Sequence, residues 1–304
     1  MTPAGRGSTV TIALVVNPFA TRVSEQRLRR VRERLAGAGE VEVVLTERPG
    51  HAAELVRRAC RAGVEAVVVF SGDGGGNEAL NGLERDVPIG FLPGGGTSVL
   101  PRALGLPREP VAAAERLAEA LDAERTRRIS LGRINGRRFA FAAGVGLPAE
   151  VVRRVDARGR RRDGRRPGDP AFALATVAAL AARGGRLEPR LTVEGRGRAA
   201  AVFVANCRPY TYAGPLPLPV APEAAFELGL DLVAPVAVEP RRLAATAIRI
   251  LLGRAGPESL RGHDLDRIEV ACDLPLPLHA DGEDLGDAER VVFEAERAAV
   301  SVLV

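Results

Sequence analysis

The stretch that decides the fold is AVVVFSGDGGGNEALNGL, residues 66–83. It begins with a continuous apolar run, Ala66–Phe70, which is typical of a parallel strand covered on both faces. A glycine-rich turn follows at once, and we expect a helix from about Asn77 to Leu83. This succession of strand, glycine-rich turn and helix is typical of α/β folds, in which ligands bind beyond the carboxyl ends of the strands.

The segments around this stretch repeat the alternation of strand and helix. Short apolar runs predict strands at Val10–Val16, Val41–Leu45 and Pro88–Leu92. Apolar residues at helical spacing predict helices at Ser24–Ala36, Ala52–Ala62 and Val111–Ala123. We therefore predict that residues 1–128 form an α/β domain with a parallel sheet.

After about residue 128 the pattern changes to short apolar runs between turn signals. The runs that predict strands are Arg138–Ala142, Arg190–Glu194, Ala199–Ala205, Leu230–Val233, Arg267–Ala271 and Val291–Glu294. Ala171–Ala182 and Pro240–Leu252 are the helical candidates. We predict a second, mostly antiparallel β domain over residues 129–290.

The basic side chains of this chain are all arginine. Lys and Arg together number 43 against 38 Asp and Glu, giving a net charge of +5, and the sequence contains no lysine. This excludes a Walker A loop, a protein kinase and Schiff-base chemistry, each of which needs a lysine. Aromatic residues make up 4% with no tryptophan, so we expect no nucleic-acid partner.

A second glycine-rich turn, Pro93–Ser98, follows the next predicted strand. Two such turns at neighbouring strand ends predict one cradle for phosphate, because backbone N–H groups there point toward the ligand. Asn17 and Thr46 follow the first two strands and add polar groups to the same edge. An acidic Asp73 inside an anion-binding turn predicts a divalent cation between its carboxylate and the phosphate, or contact with polar ligand groups.

Four motifs in order give this chain a family resemblance. NPFATR (17–22), SGDGGGNEALNG (71–82), LPGGGTSVLPRALGLP (92–107) and HADGE (279–283) resemble the diacylglycerol kinase catalytic-domain family, which includes bacterial lipid kinases and sphingosine kinases. The resemblance implies an ATP-dependent kinase that phosphorylates a lipid hydroxyl. It also implies that the second domain is a β-sandwich and that the C-terminal strand, about 291–304, returns to the first domain.

The resemblance carries the family's functional residues over to matching positions of this chain. The implied nucleotide contacts are Asn17, Thr46, Ser71, Gly72, Asp73, Gly74, Gly75, Gly76, Asn77, Gly96 and Thr97. Mg²⁺ would bind through Mg–ATP at Asp73. Glu283 matches the residue that accepts the proton in bacterial members, and Asp281 is its acidic neighbour, so both are catalytic candidates.

The sequence departs from the family pattern at several positions. Gly75 replaces the usual threonine, Ser98 replaces the usual asparagine, and Pro101 stands where the family has alanine. These departures keep open an alternative, a catalytically impaired member that binds nucleotide or lipid as a sensor. A soluble-substrate kinase of the NAD kinase type is a further alternative.

Two other departures concern ligands in the second domain. The Asp-Gly turn that holds a structural magnesium in bacterial members is absent, with Glu227 at the matching stretch, and we assign no such metal. Pro148 stands where relatives often carry an acid near the substrate. A cationic long-chain base would need that acid, so a neutral, diacylglycerol-like lipid is favoured.

A run of arginines in the second domain predicts contact with a membrane surface. Eight arginines lie between residues 153 and 166, and clustered arginine attracts anionic headgroups. We expect a cytoplasmic protein that is peripheral to the membrane, with a homodimer left open. The residues of this predicted patch are Arg153, Arg154, Arg160, Arg161, Arg162, Arg165 and Arg166.

Overall fold

The computed structural model describes residues 10–157, 174–176, 178–179, 181–182, 184 and 186–304, which divide into two compact units. The first unit comprises the residues up to 128 together with Val300–Val304, and the second comprises Ile129–Ala299. The first is an α/β unit and the second is mostly antiparallel, so the predicted fold class is confirmed. The assignment of one unit to nucleotide and the other to lipid stays a prediction.

The first unit is built on a parallel sheet with the strand order β4-β3-β1-β2. Its strands are β1 (Thr11–Val16), β2 (Glu40–Leu45), β3 (Ala66–Ser71) and β4 (Ile89–Pro93). Its helices are α1 (Glu25–Leu35), α2 (His51–Ala62), α3 (Asp73–Gly82), α4 (Val99–Ala103) and α5 (Pro110–Asp122). Every residue of β3 is buried, as the continuous apolar run predicts.

Local sequence signals place the ends of these helices. The Ser24 hydroxyl accepts a hydrogen bond from the Arg27 N–H at 3.3 Å, which caps the N-terminus of α1. Gly63 ends α2 with φ of 86°, a left-handed conformation that glycine adopts without steric cost. Both signals are present in the sequence, and both helices lie within two residues of their predicted bounds.

Helix α3 begins earlier than the sequence indicates. The sequence predicts a glycine-rich turn followed by a helix from Asn77, but Asp73 already begins the helix and Gly74–Gly76 lie in its first turns. The Gly76 N–H donates to the Gly72 carbonyl at 3.0 Å. Glycine disfavours helix only by about 1 kcal/mol per residue, which tertiary packing readily outweighs.

Gly82, the last residue of α3, allows a close approach between α3 and α2. A Cβ atom at this position would lie 2.8 Å from Ala53 Cα, which is backbone that cannot turn aside. We expect Gly82→Ala to lower the free energy of unfolding by about 1–3 kcal/mol, the usual range for overpacking. Urea unfolding of both proteins would measure this change.

Gly96→Ala is the matched control for this prediction, because a Cβ atom at Gly96 would meet nothing within 4 Å. We expect its unfolding midpoint to stay close to that of the parent protein. Equal midpoints for all three proteins would show that α2 and α3 pack less tightly than described.

The second unit is a mostly antiparallel assembly of strands that also contains helices. Its helices include α6 (Leu147–Asp156) and α7 (Leu243–Leu251), the latter preceded by a short 3-10 helix, Pro240–Arg242. Its strands are β5 (Thr126–Ile134, whose first residues belong to the first unit), β6 (Arg137–Phe139), β7 (Ala142–Val145), β8 (Leu191–Val193), β9 (Gly197–Ala199), β10 (Val202–Ala205), β11 (Thr211–Ala213), β12 (Leu216–Leu218), β13 (Leu230–Pro235), β14 (Ser259–Leu265), β15 (Arg267–Ala280) and β16 (Glu283–Leu303).

Two of these strands are far longer than their apolar runs. The runs predict strands at Arg267–Ala271 and Val291–Glu294, whereas β15 has 14 residues and β16 has 21. Only residues 300–304 cluster with the first unit, fewer than the predicted 291–304, and Val302 pairs there with Ile89 of β4. The predicted helix over 171–182 lies partly outside the described residues.

The core of the second unit is a cluster of buried apolar side chains drawn from its strands, including Phe139, Leu232, Leu278 and Phe293. These four come from β6, β13, β15 and β16, so distant parts of the sequence meet in one interior. Within the described residues, no helix has the length and apolar character needed to cross a membrane.

Candidate functional site

The two glycine-rich segments pack backbone against backbone in the first unit. The Gly94 N–H donates to the Ser71 carbonyl at 2.8 Å. A Cβ atom at Gly95 would lie 2.9 Å from Gly72 Cα, so the contact leaves no room for a side chain at Gly95. The segments that follow β3 and β4 therefore form one continuous surface of backbone groups.

The first motif, NPFATR, joins the same surface. The Arg22 N–H donates to the Gly94 carbonyl at 2.8 Å, and the Asn17 N–H donates to the Phe70 carbonyl at 3.0 Å. The Asn17 side chain accepts from the Phe19 N–H at 3.0 Å, so this oxygen shapes its own turn. Thr46 follows β2 directly and is buried. Asn17, Thr46 and the two glycine-rich segments therefore lie together at the carboxyl ends of four parallel strands.

The N-terminal turn of α3 offers donors to an anion. The first N–H groups of any helix lack a partner within the helix, and they favour negative charge. Gly74 and Gly75 carry no side chain that could cover those donors. Their chemistry fits phosphate oxygens, which supports a nucleotide phosphate at this place.

The Ser71 side chain occupies the space beside Gly75 in this turn. The Ser71 hydroxyl is buried and has no hydrogen-bond partner in the structure. A Cβ atom at Gly75 would lie 2.8 Å from Ser71 Cβ, a contact that rotating the serine side chain does not relieve. In this conformation the space for the family's usual threonine is taken by Ser71, which gives a physical reason for glycine at position 75.

Asp73 links the two glycine-rich segments. Its Oδ1 accepts a hydrogen bond from the Leu100 N–H at 3.1 Å, at the start of α4. The described residues include no cluster of three His, Cys, Asp or Glu that could hold a metal ion. Asp73 therefore stays the predicted contact for Mg²⁺ through Mg–ATP.

The interior beneath these segments is too small for a nucleotide. A cavity of about 10 Å³, lined by Ser71, Asp73 and Pro101 among others, has room for about one water molecule. A bound nucleotide would have to lie over the outer, glycine-lined side.

Two departures from the family pattern have local explanations. Ser98 has φ of 48°, a left-handed conformation that suits asparagine better than serine, and its hydroxyl bridges to the Gly95 backbone at 3.0 and 3.2 Å. Pro101 is the third residue of α4, where the missing N–H would have no helical partner. Neither residue disrupts the segment.

Glu283 is held by an arginine in the second unit. Its side chain is 29% exposed and forms an ion pair with Arg137. Both residues begin a strand immediately after a two-residue hairpin turn, Asn135-Gly136 and Asp281-Gly282 respectively. All four turn residues have positive φ, as in the type I′ turns that Asn-Gly and Asp-Gly favour. The sequence analysis identified Glu283 but missed Arg137, although the Asn-Gly signal precedes it.

The Asp281 carboxylate is held by backbone groups. It is buried and accepts the N–H groups of Ala140, Phe141 and Ala142 at 2.6, 2.9 and 3.1 Å. These bonds fix the turn that presents Glu283. The catalytic roles of Asp281 and Glu283 stay predictions.

A tyrosine and a histidine lie beneath the same turn. The Tyr210 hydroxyl is 3.0 Å from His279 Nε2 and 3.1 Å from the Ala143 carbonyl. Burial raises the pKa of the Tyr210 phenol far above its ordinary value, so the phenol stays protonated. The sequence analysis did not connect these two residues, which are far apart in the chain.

A second cavity lies within the second unit. It measures about 270 Å³ and is lined by apolar residues together with Arg261, His263, Glu223 and Asp231. Asp231 is buried, and its Oδ1 lies 2.9 Å from His263 Nδ1. The hydrogen bond to Asp231 raises the pKa of His263 above its ordinary value.

The arginine run is only partly described. Arg153 is paired with Asp284 and Asp287 at 2.8 and 2.6 Å, and Arg154 with Glu150 at 2.7 Å. These two guanidinium groups are therefore engaged within the protein. The remaining five, Arg160, Arg161, Arg162, Arg165 and Arg166, lie outside the described residues.

The match of this sequence to a family model falls mainly in the first unit. Residues 11–134 match the family model described as the diacylglycerol kinase catalytic domain. A diacylglycerol kinase of Bacillus subtilis is 30% identical over 144 residues, covering 46% of each chain. A relative from Streptococcus pneumoniae is 32% identical over 119 residues. These matches span between 39% and 46% of the relatives' lengths.

Solved structures resemble the fold over nearly the whole chain. A diacylglycerol kinase from Bacillus anthracis aligns with a TM-score of 0.73 and 20% identity, covering 98% of both chains. An NAD kinase from Archaeoglobus fulgidus, solved in complex with ATP, aligns with a TM-score of 0.51 and 17% identity, covering 96% of this chain and 93% of the other. At these identities the likeness concerns the fold alone.

Proposed function

Through residues 11–134 this chain belongs to the diacylglycerol kinase catalytic-domain family, and on that premise we propose that it transfers the γ-phosphate of ATP to a lipid hydroxyl. The observation that carries the proposal is the packing of two glycine-rich segments at the carboxyl ends of β3 and β4. Such a surface exposes backbone donors to phosphate without side chains in the way. Pro148 favours a neutral, diacylglycerol-like substrate.

The first unit is proposed to bind the nucleotide. Backbone N–H groups of Gly74 and Gly75 bind phosphate oxygens, and Thr97 and Thr46 add hydroxyl groups at the same edge. Asn17, Ser71, Gly72, Gly76, Asn77 and Gly96 complete the proposed contacts. Bound ATP supplies the phosphoryl group, with Mg²⁺ neutralising its charge; Asp73 is the residue that would hold the metal.

The second unit is proposed to orient the lipid hydroxyl. Glu283 accepts the hydroxyl proton as the oxygen attacks phosphorus, which is the role of a general base. Arg137 restrains the Glu283 side chain, and the Asp281 carboxylate fixes the turn before it. Phosphoryl transfer depends mainly on such positioning and on charge neutralisation, because the protein forms no covalent bond itself.

Transfer of labelled phosphate from Mg–ATP to lipids in mixed micelles tests the proposal. The panel contains diacylglycerol, a long-chain base and soluble NAD. Phosphorylation of diacylglycerol supports the proposal as stated. Transfer to NAD instead would favour the NAD kinase alternative, whose fold this chain resembles. ATP binding without transfer to any member would favour a non-catalytic sensor.

We expect Asp73→Ala to reduce turnover by about 10³-fold or more, because the change removes the proposed magnesium ligand and the hydrogen bond to Leu100. The measurement is kcat in the same micelle assay. Asp122→Ala is the matched control, since Asp122 is exposed at the end of α5. Activity close to that of the parent in Asp73→Ala would contradict the assignment of this segment to nucleotide.

A further inference from the structure

A hairpin without charges projects from the second unit. Among the described residues, strands β11 and β12 pair with each other as a separate two-stranded sheet. Residues 209–222 contain no charged side chain, although 27% of the whole chain is charged. Leu216 is 55% exposed, and Pro217 beside it is exposed as well. An exposed apolar patch is typical of a surface that binds a partner or a membrane.

Helix α7 exposes a second apolar face. Ala245, Ile248 and Leu252 follow one another at intervals of three and four residues, which places them on one side of a helix. Ile248 is 57% exposed and Leu252 is 45% exposed. Thr246 and Ile250 of the same helix are buried, so α7 already packs through its other side.

The hairpin and the helix meet at Gly253. A Cβ atom there would lie 2.7 Å from the Pro219 carbonyl oxygen and 3.1 Å from Pro222 Cδ. The end of α7 therefore contacts the base of the hairpin. We call Leu216, Pro217, Ile248 and Leu252 together the hairpin–helix surface.

Arginines border the hairpin–helix surface. The exposed ones are Arg208, Arg241, Arg242, Arg249 and Arg254. Arg208 donates to the Pro222 carbonyl at 3.4 Å, which places it at the hairpin base. Glu239 and Glu258 pair with Arg241 and Arg249, so the cations outnumber the acids that neutralise them. Arginine presents a planar fork of donors that matches phosphate oxygens.

We propose that the hairpin–helix surface docks on an anionic phospholipid bilayer. Exposed Leu and Ile side chains enter the interfacial region, while the bordering arginines bind headgroup phosphates, the combination typical of proteins that lie on a membrane. The proposal extends the proposed function, because a kinase for a lipid that stays in its bilayer must reach that bilayer. It rests on residues other than the predicted run at 153–166.

Single tryptophans test the contact directly, since the chain has none of its own. Leu216→Trp and Ile248→Trp place the reporter on the surface, and Leu274→Trp, at a residue that is 44% exposed, is the matched control. With vesicles of phosphatidylcholine and phosphatidylglycerol, we expect the first two emissions to shift to shorter wavelength and the control emission to stay unchanged. Equal shifts at all three sites, or none at 216 and 248, would overturn the proposal.

Sedimentation with the same vesicles gives the second measurement. We expect Leu216→Glu combined with Ile248→Glu to weaken partitioning about tenfold, and Leu274→Glu to leave it unchanged. Binding that persists without phosphatidylglycerol would overturn the role of the arginines. If Leu216→Trp or Ile248→Trp already shows the emission of a buried indole before vesicles are added, a second copy covers the surface and the proposal is overturned.

The assays need no ATP and no substrate turnover. A protein that binds vesicles through these residues but phosphorylates nothing would refute the kinase proposal and leave the docking surface standing. A protein that phosphorylates lipid in micelles, yet shows no emission shift in Leu216→Trp and Ile248→Trp, would refute the docking surface alone.

Discussion

Replacing Glu283 with glutamine is expected to lower kcat for phosphate transfer to lipid by about 10²-fold or more, the usual contribution of a general base. Glutamine keeps the length of the side chain and an oxygen that can still accept a hydrogen bond from Arg137. Glutamine cannot take up the hydroxyl proton. The loss in kcat therefore measures the contribution of proton transfer. Steady-state kinetics in mixed micelles, with ATP and lipid varied separately, measures kcat and KM.

Glu289→Gln controls for a change of charge on the same strand, because Glu289 is exposed and also lies in β16. We expect the KM for ATP to stay near its parent value in both variants. A Glu283→Gln protein with the parent kcat would move the proton acceptor elsewhere. Asp281 would not inherit that role, because its carboxylate already accepts three backbone N–H groups.

Asp281→Ala is expected to lower the free energy of unfolding by roughly 3 kcal/mol or more, because it leaves buried backbone donors without an acceptor. The donors belong to Ala140, Phe141 and Ala142, and Asp281 itself is 3% exposed. The midpoint of urea unfolding, followed by circular dichroism, measures the change.

Asp266→Ala is the comparison for this second prediction. The Asp266 side chain is 77% exposed and pairs with Arg297, so its removal is expected to change stability by about 0.5 kcal/mol or less. Equal effects of the two substitutions would contradict the structural role of Asp281. A strongly destabilised Asp281→Ala protein that regains its stability as Asp281→Asn would show that one accepting oxygen suffices.

The first unit could be predicted well because its signals are local. Continuous apolar runs such as Ala66–Phe70, cap residues such as Ser24, and glycine at helix ends each act within a few residues. The beginning of α3 could not be predicted, because Gly74–Gly76 have a low helix propensity. Tertiary packing holds these glycines in the helix. The long β15 and β16 were also missed. Pro275 and Pro277 interrupt the strand signal in β15, and polar residues along β16 do not alternate clearly with apolar ones.

The candidate site was predictable as motifs but not as contacts. The sequence indicated which segments carry Asn17, Asp73 and Glu283. It did not indicate that Arg137 restrains Glu283, since an ion pair between residues 146 positions apart follows from strand pairing and not from spacing. It also did not indicate that Asp281 accepts three backbone N–H groups, because those groups are brought near it only in the folded chain.

The return of residues 300–304 to the first unit has a consequence for biosynthesis. Val302 pairs with β4, the Ser301 N–H donates to Asp86 at 3.2 Å, and the Val304 carbonyl accepts from Arg125 at 2.7 Å. The ribosome synthesises residues 129–299 before residues 300–304. Until residues 300–304 are made, the edge of β4 in the nascent first unit stays unpaired. Closing a contact of such high sequence separation is slow. An unpaired edge strand is prone to aggregation until residues 300–304 have been made.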